Sequence, residues 1–82
     1  MDNVRALIFV RLKQEQVPAF LTLIRGLPQV KQYYTLTGEF DGLLEVETRS
    51  IEELYNLNQA YFQGFNGLQH TNTHIVVMRI ET

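Results

Sequence analysis

The sequence predicts an α+β fold, with one four-stranded antiparallel sheet carrying two helices on one face in the order β-α-β-β-α-β. Three observations predict it. Val4, Ala6, Ile8, Val10 and Leu12 form an apolar row at period two, which is the signature of a strand. Two later stretches repeat their apolar residues at helical spacing instead. Glycine and proline punctuate the chain between these runs, leaving three further β-rich segments.

The first strand runs from Val4 to Leu12, and its opposite row, Arg5, Leu7, Phe9 and Arg11, is apolar in the middle, so both faces call for burial. The first helix follows from Val17, Phe20, Leu21, Ile24 and Leu27, with Glu15, Thr22 and Arg25 on the other side. Pro18 suits only the first turn, where its missing N–H is not needed, and Gly26 with Pro28 stops the helix. Val30 to Thr37 and Asp41 to Thr48 read as the second and third strands, joined across Gly38-Glu39-Phe40, a length suited to a hairpin. Ser50 and Glu53 form a capping box ahead of the second helix. Its apolar arc is Ile51, Leu54, Tyr55, Leu57, Tyr61, Phe62 and Phe65, with the polar Asn58 inside it. Gly64 and Gly67 break the helix, and Thr71 to Glu81 is expected as the last strand, with Ile75 and Val77 on one row and Val76, Met78 and Ile80 on the other.

Both apolar stripes must meet the sheet, so the helices share one face in the ferredoxin-like split βαβ arrangement. That leaves Leu7 and Phe9 on the open face. A second sheet is expected over them, giving a homodimer with sheets face to face, a dimeric α+β barrel with Leu7 and Phe9 in its interface.

Composition narrows the function. A chain of 82 residues has room for one domain, 1–82, and 45% of it is apolar. It has no cysteine, which removes disulfides, thiolate zinc sites and cysteine nucleophiles. No targeting pattern is read in Met1 to Arg5, and no apolar run approaches the roughly 20 residues of a membrane span, so a cytoplasmic protein that enters no membrane is expected. Net charge is -2, and the seven basic residues are scattered. Duplex binding normally needs them clustered, so no direct contact with nucleic acid is expected.

Three groupings bear on chemistry. His70 and His74 lie in a strand-like context, where about 3.3 Å per residue separates them by about 13 Å, too far to share an ion; no metal and no cofactor are expected. Glu45 and Glu47 share one side of the third strand without a partner base, and salt bridges to Arg5 and Arg11 on the neighbouring first strand explain them, so no catalytic residue is assigned. Thr37 to Asp41 carries the most information. Gly38 can take a positive φ that turns its neighbours' N–H groups outward, while Asp41 offers a carboxylate and Thr37 a hydroxyl. Such a loop can hold both ends of a free amino acid, because an α-carboxylate seeks N–H donors and an α-ammonium seeks a carboxylate. A plain hairpin, with Asp41 bonded to its own backbone, reads from the same residues.

The run TGEFDGLLEV after Leu27-Pro28-x-Val30, followed by Ser50-Ile51-x-Glu53-Leu54 and Gly67-Leu68-x-x-Thr71-x-Thr73, resembles the C-terminal effector domain of the Lrp/AsnC regulators, the RAM domain, over essentially the whole chain. The resemblance implies a domain that dimerises through its sheets, assembles into octameric or decameric rings and binds amino-acid effectors between dimers. It places effector contacts at Thr37, Gly38, Glu39 and Asp41, and at the threonine pair Thr71 and Thr73. With the first strand close behind Met1, the chain resembles the stand-alone form without a helix-turn-helix domain, and full-length regulators become possible partners for co-assembly. Members often have a bulkier residue where this chain has Gly42, which bears on the size of the pocket. Two other classes share this architecture: small dimeric α+β barrel enzymes of the cofactor-free monooxygenase or isomerase type, for which Asn58, His70 and His74 are the available side chains, and a ligand-free oligomerisation domain.

Overall fold

The computed structural model describes residues 3–82; Met1 and Asp2, the start of the stretch in which no targeting pattern is read, lie outside them. The elements are β1 (Val4–Leu12), a short 3-10 turn (Gln14–Gln16), α1 (Val17–Arg25), β2 (Val30–Thr35), β3 (Gly42–Thr48), α2 (Ile51–Leu57), a π-turn (Asn58–Phe62) and β4 (Leu68–Ile75). The strands form one antiparallel sheet in the order β2-β3-β1-β4.

The alternation of β1 decides which face is covered. Ala6, Ile8, Val10 and Leu12 are buried, as are Leu44 and Val46 from β3. They pack with Phe20 and Ile24 of α1, Leu54 and Leu57 of α2 and Phe62 of the π-turn into one core. Both helices therefore cover the same face, as the two apolar stripes require. Within this core Phe20 meets Phe62, and the partly buried Phe65, at 6.2 and 5.4 Å between ring centroids, distances usual for tilted and edge-on aromatic pairs.

The start of α2 is built as its sequence indicates. Ser50 is extended and its side chain accepts from the Glu53 N–H at 3.0 Å. The Glu53 carboxylate reaches back to the Arg49 N–H at 2.6 Å, one residue before the cap. The far end differs from expectation. The Gln63 N–H bonds the Asn58 carbonyl, a π-type step five residues back, at 2.9 Å, and the extra residue rotates the downstream side chains away from their α-helical directions. Of the expected apolar arc, Leu54, Leu57 and Phe62 are buried, while Ile51 and Tyr55 are each 62% exposed and Tyr61 is exposed too. The sheet covers a narrower stripe than the arc.

Strand limits shift as well. The second strand stops at Thr35 and the third begins at Gly42, so the connection is longer than the three residues expected. β4 starts at Leu68, where it pairs with Leu12, and ends at Ile75. One more bond, from the Val76 N–H to the Arg5 carbonyl at 2.8 Å, continues the pairing, after which the chain leaves the sheet with Val77, Met78 and Ile80 exposed. The two alternating rows expected as far as Glu81 are therefore not strand rows.

Candidate functional site

The residues singled out between Thr37 and Asp41 sit at one end of the sheet, and the loop is fixed there by β1. The Asp41 N–H donates to the Val10 carbonyl at 2.9 Å, and the Leu36 N–H to the Asp41 carbonyl at 2.9 Å. The Asp41 carboxylate accepts from the Leu12 N–H at 2.8 Å. A side chain thus continues the β1–β3 ladder one step past the last backbone pair, Val10 with Gly42. Arg11 adds a bond from its Nε to the Glu39 carbonyl at 2.8 Å. Asp41 is therefore committed through one oxygen to the scaffold, but to β1 and not to its own backbone as the plain hairpin reading expected, and its other oxygen has no partner among the described residues.

Gly38 has φ 105°, a conformation that side-chain-bearing residues rarely adopt, with open space where a Cβ would stand. The N–H groups of Thr37, Gly38, Glu39 and Phe40 find no backbone acceptor among the described residues. All of Thr37, Gly38, Glu39 and Asp41 are exposed. At this end the structure offers, in an exposed turn, N–H groups without a backbone acceptor and one available carboxylate oxygen.

Thr71 and Thr73 are on β4, opposite Val10 and Ile8 respectively. Since Val10 also pairs with Gly42 on its other side, Thr71 lies two strand spacings from the loop's base, about 10 Å. The loop and Thr71 share one end of the sheet, and Thr73 is a residue pair further along. The register places both threonines on the helix-facing side.

On the opposite, open face the same loop contributes Phe40, whose ring is 5.5 Å from Phe9 and stacks on His70 at 6.1 Å with 17° between planes. His74 meets Phe9 edge-on at 5.8 Å. Both histidines therefore face away from the helices, where they cannot line a pocket between helix and sheet together with Asn58. Leu7 and Phe9 are half-buried in the single chain, Phe9 by its own neighbours. The carboxylates are satisfied only partly as expected: Arg5 approaches Glu47 at 3.9 Å, whereas Glu45 accepts from the Tyr34 hydroxyl at 3.2 Å and Arg11 bonds the loop instead. That correction follows from position, because Arg11 lies beyond the last pair of the β1–β3 ladder.

Two hollows lie elsewhere. A groove of about 490 Å³ runs over the open face between Arg5, Leu7, Glu45 and Glu47 and the departing tail at Val76 and Met78. A smaller one of about 280 Å³ lies near Pro28, Thr48 and Glu53. Among the described residues there is no grouping of three or more His, Asp or Glu side chains placed to hold a metal, and no helix is long and apolar enough to cross a membrane.

The site residues that sequence reasoning missed are Tyr33 and Phe40. Tyr33 is half-buried, with its ring edge-on to Phe20 at 5.9 Å, and its phenol lies across Gly42 where a Cβ would collide with it. An aromatic residue on one strand of the hairpin with glycine on the other was the available signal.

Similarity to known proteins fits this geometry. No curated protein sequence matches the chain. Among solved structures, AsnC of E. coli superposes with a TM-score of 0.86 at 28% identity, over 96% of this chain and 54% of that one. A protein from Thermus thermophilus gives 0.85 at 25%, over 96% and 99%. A transcriptional regulator from Neisseria meningitidis, solved as a complex with L-Met, gives 0.89 at 22%, over 96% and 53%, a likeness of fold. The chain thus spans about half the length of the E. coli AsnC structure. The model of the Lrp/AsnC ligand binding domain matches residues 5–82, and the chain belongs to that family.

Proposed function

We propose that this chain is an amino-acid-binding, oligomer-forming regulatory module that catalyses no reaction and works in the cytoplasm. The observation that carries the reading is the Leu36–Asp41 loop: N–H groups around Gly38 without a backbone acceptor share an exposed turn with a carboxylate oxygen left over from the bond to Leu12. A free amino acid offers the complementary pair of charges. Thr37, Gly38, Glu39 and Asp41 contact the ligand, with Thr71 and Thr73 completing the site from β4 or from a neighbouring copy. Membership of a ligand-binding family, with transcription regulators among the structural relatives, supports a regulatory role.

Homodimerisation uses the open sheet face. Leu7, Phe9, Phe40 and Leu43 give it an apolar centre, edged by the Arg5–Glu47 pair and Arg11. A second copy of the same face buries that centre and can match the rim charges. The separate exposed pair Ile51 and Tyr55, one turn apart on α2, supplies a further contact for ring assembly into octamers or decamers. Full-length Lrp/AsnC regulators are the partners this surface would accept by co-assembly. DNA and membranes are not expected to bind it directly.

One experiment tests both halves: particle mass by light scattering, and melting temperature with each of the twenty common amino acids. A ligand at a hundred times its Kd stabilises by about 2.7 kcal/mol, easily seen in a melt. The expected result is a dimer or larger particle, reduced to one protomer by Leu7→Glu, and a raised melting temperature with at least one amino acid. A lone protomer at micromolar concentration, unresponsive to all twenty, would overturn the proposal.

A further inference from the structure

We propose that the Tyr33 hydroxyl selects the effector's side chain, favouring an amino acid whose side chain forms hydrogen bonds over an aliphatic one of similar size. This rests on the effector reading above and deepens it.

Tyr33 lies on β2 opposite Leu44, facing the helices. Its ring does not end in the core. It crosses to β3 and lies over Gly42, where the hydroxyl and the outer ring carbons occupy the space a side chain at that position would take. The exchange has a chemical consequence: an aliphatic side chain at position 42 would present hydrocarbon beside the loop, whereas the phenol presents an oxygen. Gly42 directly follows Asp41, so this oxygen stands next to the backbone of the residue that anchors the loop to β1.

The hydroxyl is also unspent. Tyr34, the next residue, donates to Glu45 at 3.2 Å, whereas the Tyr33 hydroxyl has no hydrogen-bond partner among the described residues and is not sealed in the core. Burial first, and the Asp41 carboxylate second, raise the Tyr33 pKa above its ordinary 10.0. The phenol therefore remains a protonated donor through the neutral range. A buried-edge donor of this kind is satisfied by an amide or hydroxyl side chain and left without a partner by a hydrocarbon one, which is how polar sites reject apolar isosteres.

A ring that merely fills the space above Gly42 would produce the same packing, and Tyr33→Phe separates the two because it keeps the ring and removes the oxygen. L-asparagine and L-leucine, close in size, serve as probes in calorimetric titrations of the full chain. The wild-type chain is expected to bind asparagine more tightly than leucine. Tyr33→Phe should lose asparagine affinity about three- to tenfold, while leucine affinity rises because no hydroxyl is left without a partner, with melting temperature and particle mass unchanged. Gly42→Ala, which forces the ring aside, should reproduce the loss. An unchanged asparagine-to-leucine ratio in Tyr33→Phe, or a wild-type preference for leucine, overturns this inference while leaving the effector reading in place. Silence of the wild-type chain toward all twenty amino acids overturns both.

Discussion

Removing the Asp41 carboxylate should separate its scaffold role from its proposed ligand role. In Asp41→Ala the Leu12 N–H loses its acceptor at 2.8 Å, in a part-buried setting where Leu12 itself is 5% exposed. A hydrogen bond to a charged group is worth about 1.5–3 kcal/mol when lost, and partial access of water to this end of the sheet places the cost near the lower limit. For a domain of this length each kcal/mol moves the melting temperature by about 4–8 °C, so Asp41→Ala should melt roughly 6–12 °C lower. Asp41→Asn keeps a carbonyl oxygen in the same place and loses only the charge, so about half that loss is expected. Binding should rank differently. Both variants lack the negative charge that would hold an α-ammonium group, and both should lose effector affinity to a similar degree. The assay is thermal melting at matched protomer concentration, since assembly makes the midpoint depend on concentration, followed by titration with whichever amino acid stabilises the wild type. An Asp41→Ala chain melting within roughly 2 °C of wild type would show that the carboxylate does not anchor β1, and the account of how the loop is positioned would fail.

Gly38→Ala should destabilise by about 1 kcal/mol, because φ 105° is unfavourable for any residue with a Cβ although the space around it is open; an unaltered urea midpoint would contradict the turn geometry. Glu53 has its pKa held below the ordinary 4.5, first by the Arg49 N–H and then by the Gln29 amide. A lowered folded-state value means that its contribution is present above the ordinary value and is lost as pH falls through the lower one. Glu53→Gln should therefore be less stable than the wild type at neutrality, with a flatter acid side to its stability curve, so that the two chains converge as pH falls below about 4.5; identical acid limbs for the two chains would refute it.

How much of the fold was readable in advance depended on the range of the interaction. β1 was legible to the residue because burial alternates along it, and the cap of α2 because Ser50 and Glu53 meet within one turn. The limits of β4 were misplaced because its paired residues from His70 to His74 are all polar and show no alternation, while the apolar run that looks like strand leaves the sheet after Val76, with Val77, Met78 and Ile80 exposed. The π-turn was invisible to a projection that assumes a constant turn per residue.

The loop shows the limit most clearly. Its sequence indicated a turn at Gly38 and a carboxylate at Asp41, both of which are local facts. That the carboxylate would meet Leu12, and that Phe40 would reach Phe9 and His70, depends on β1 lying between β3 and β4, which brings together residues about thirty positions apart. The same placement has a mechanical consequence. Asp41 grips the edge of β1 in the plane of the sheet, Tyr33 lies over Gly42 on the helix side, and Phe40 packs on the open side. Three consecutive residues, Phe40 to Gly42, therefore connect the proposed ligand donors to both faces of the sheet, and a ligand that shifts them cannot do so without moving the surface on which a second copy would rest.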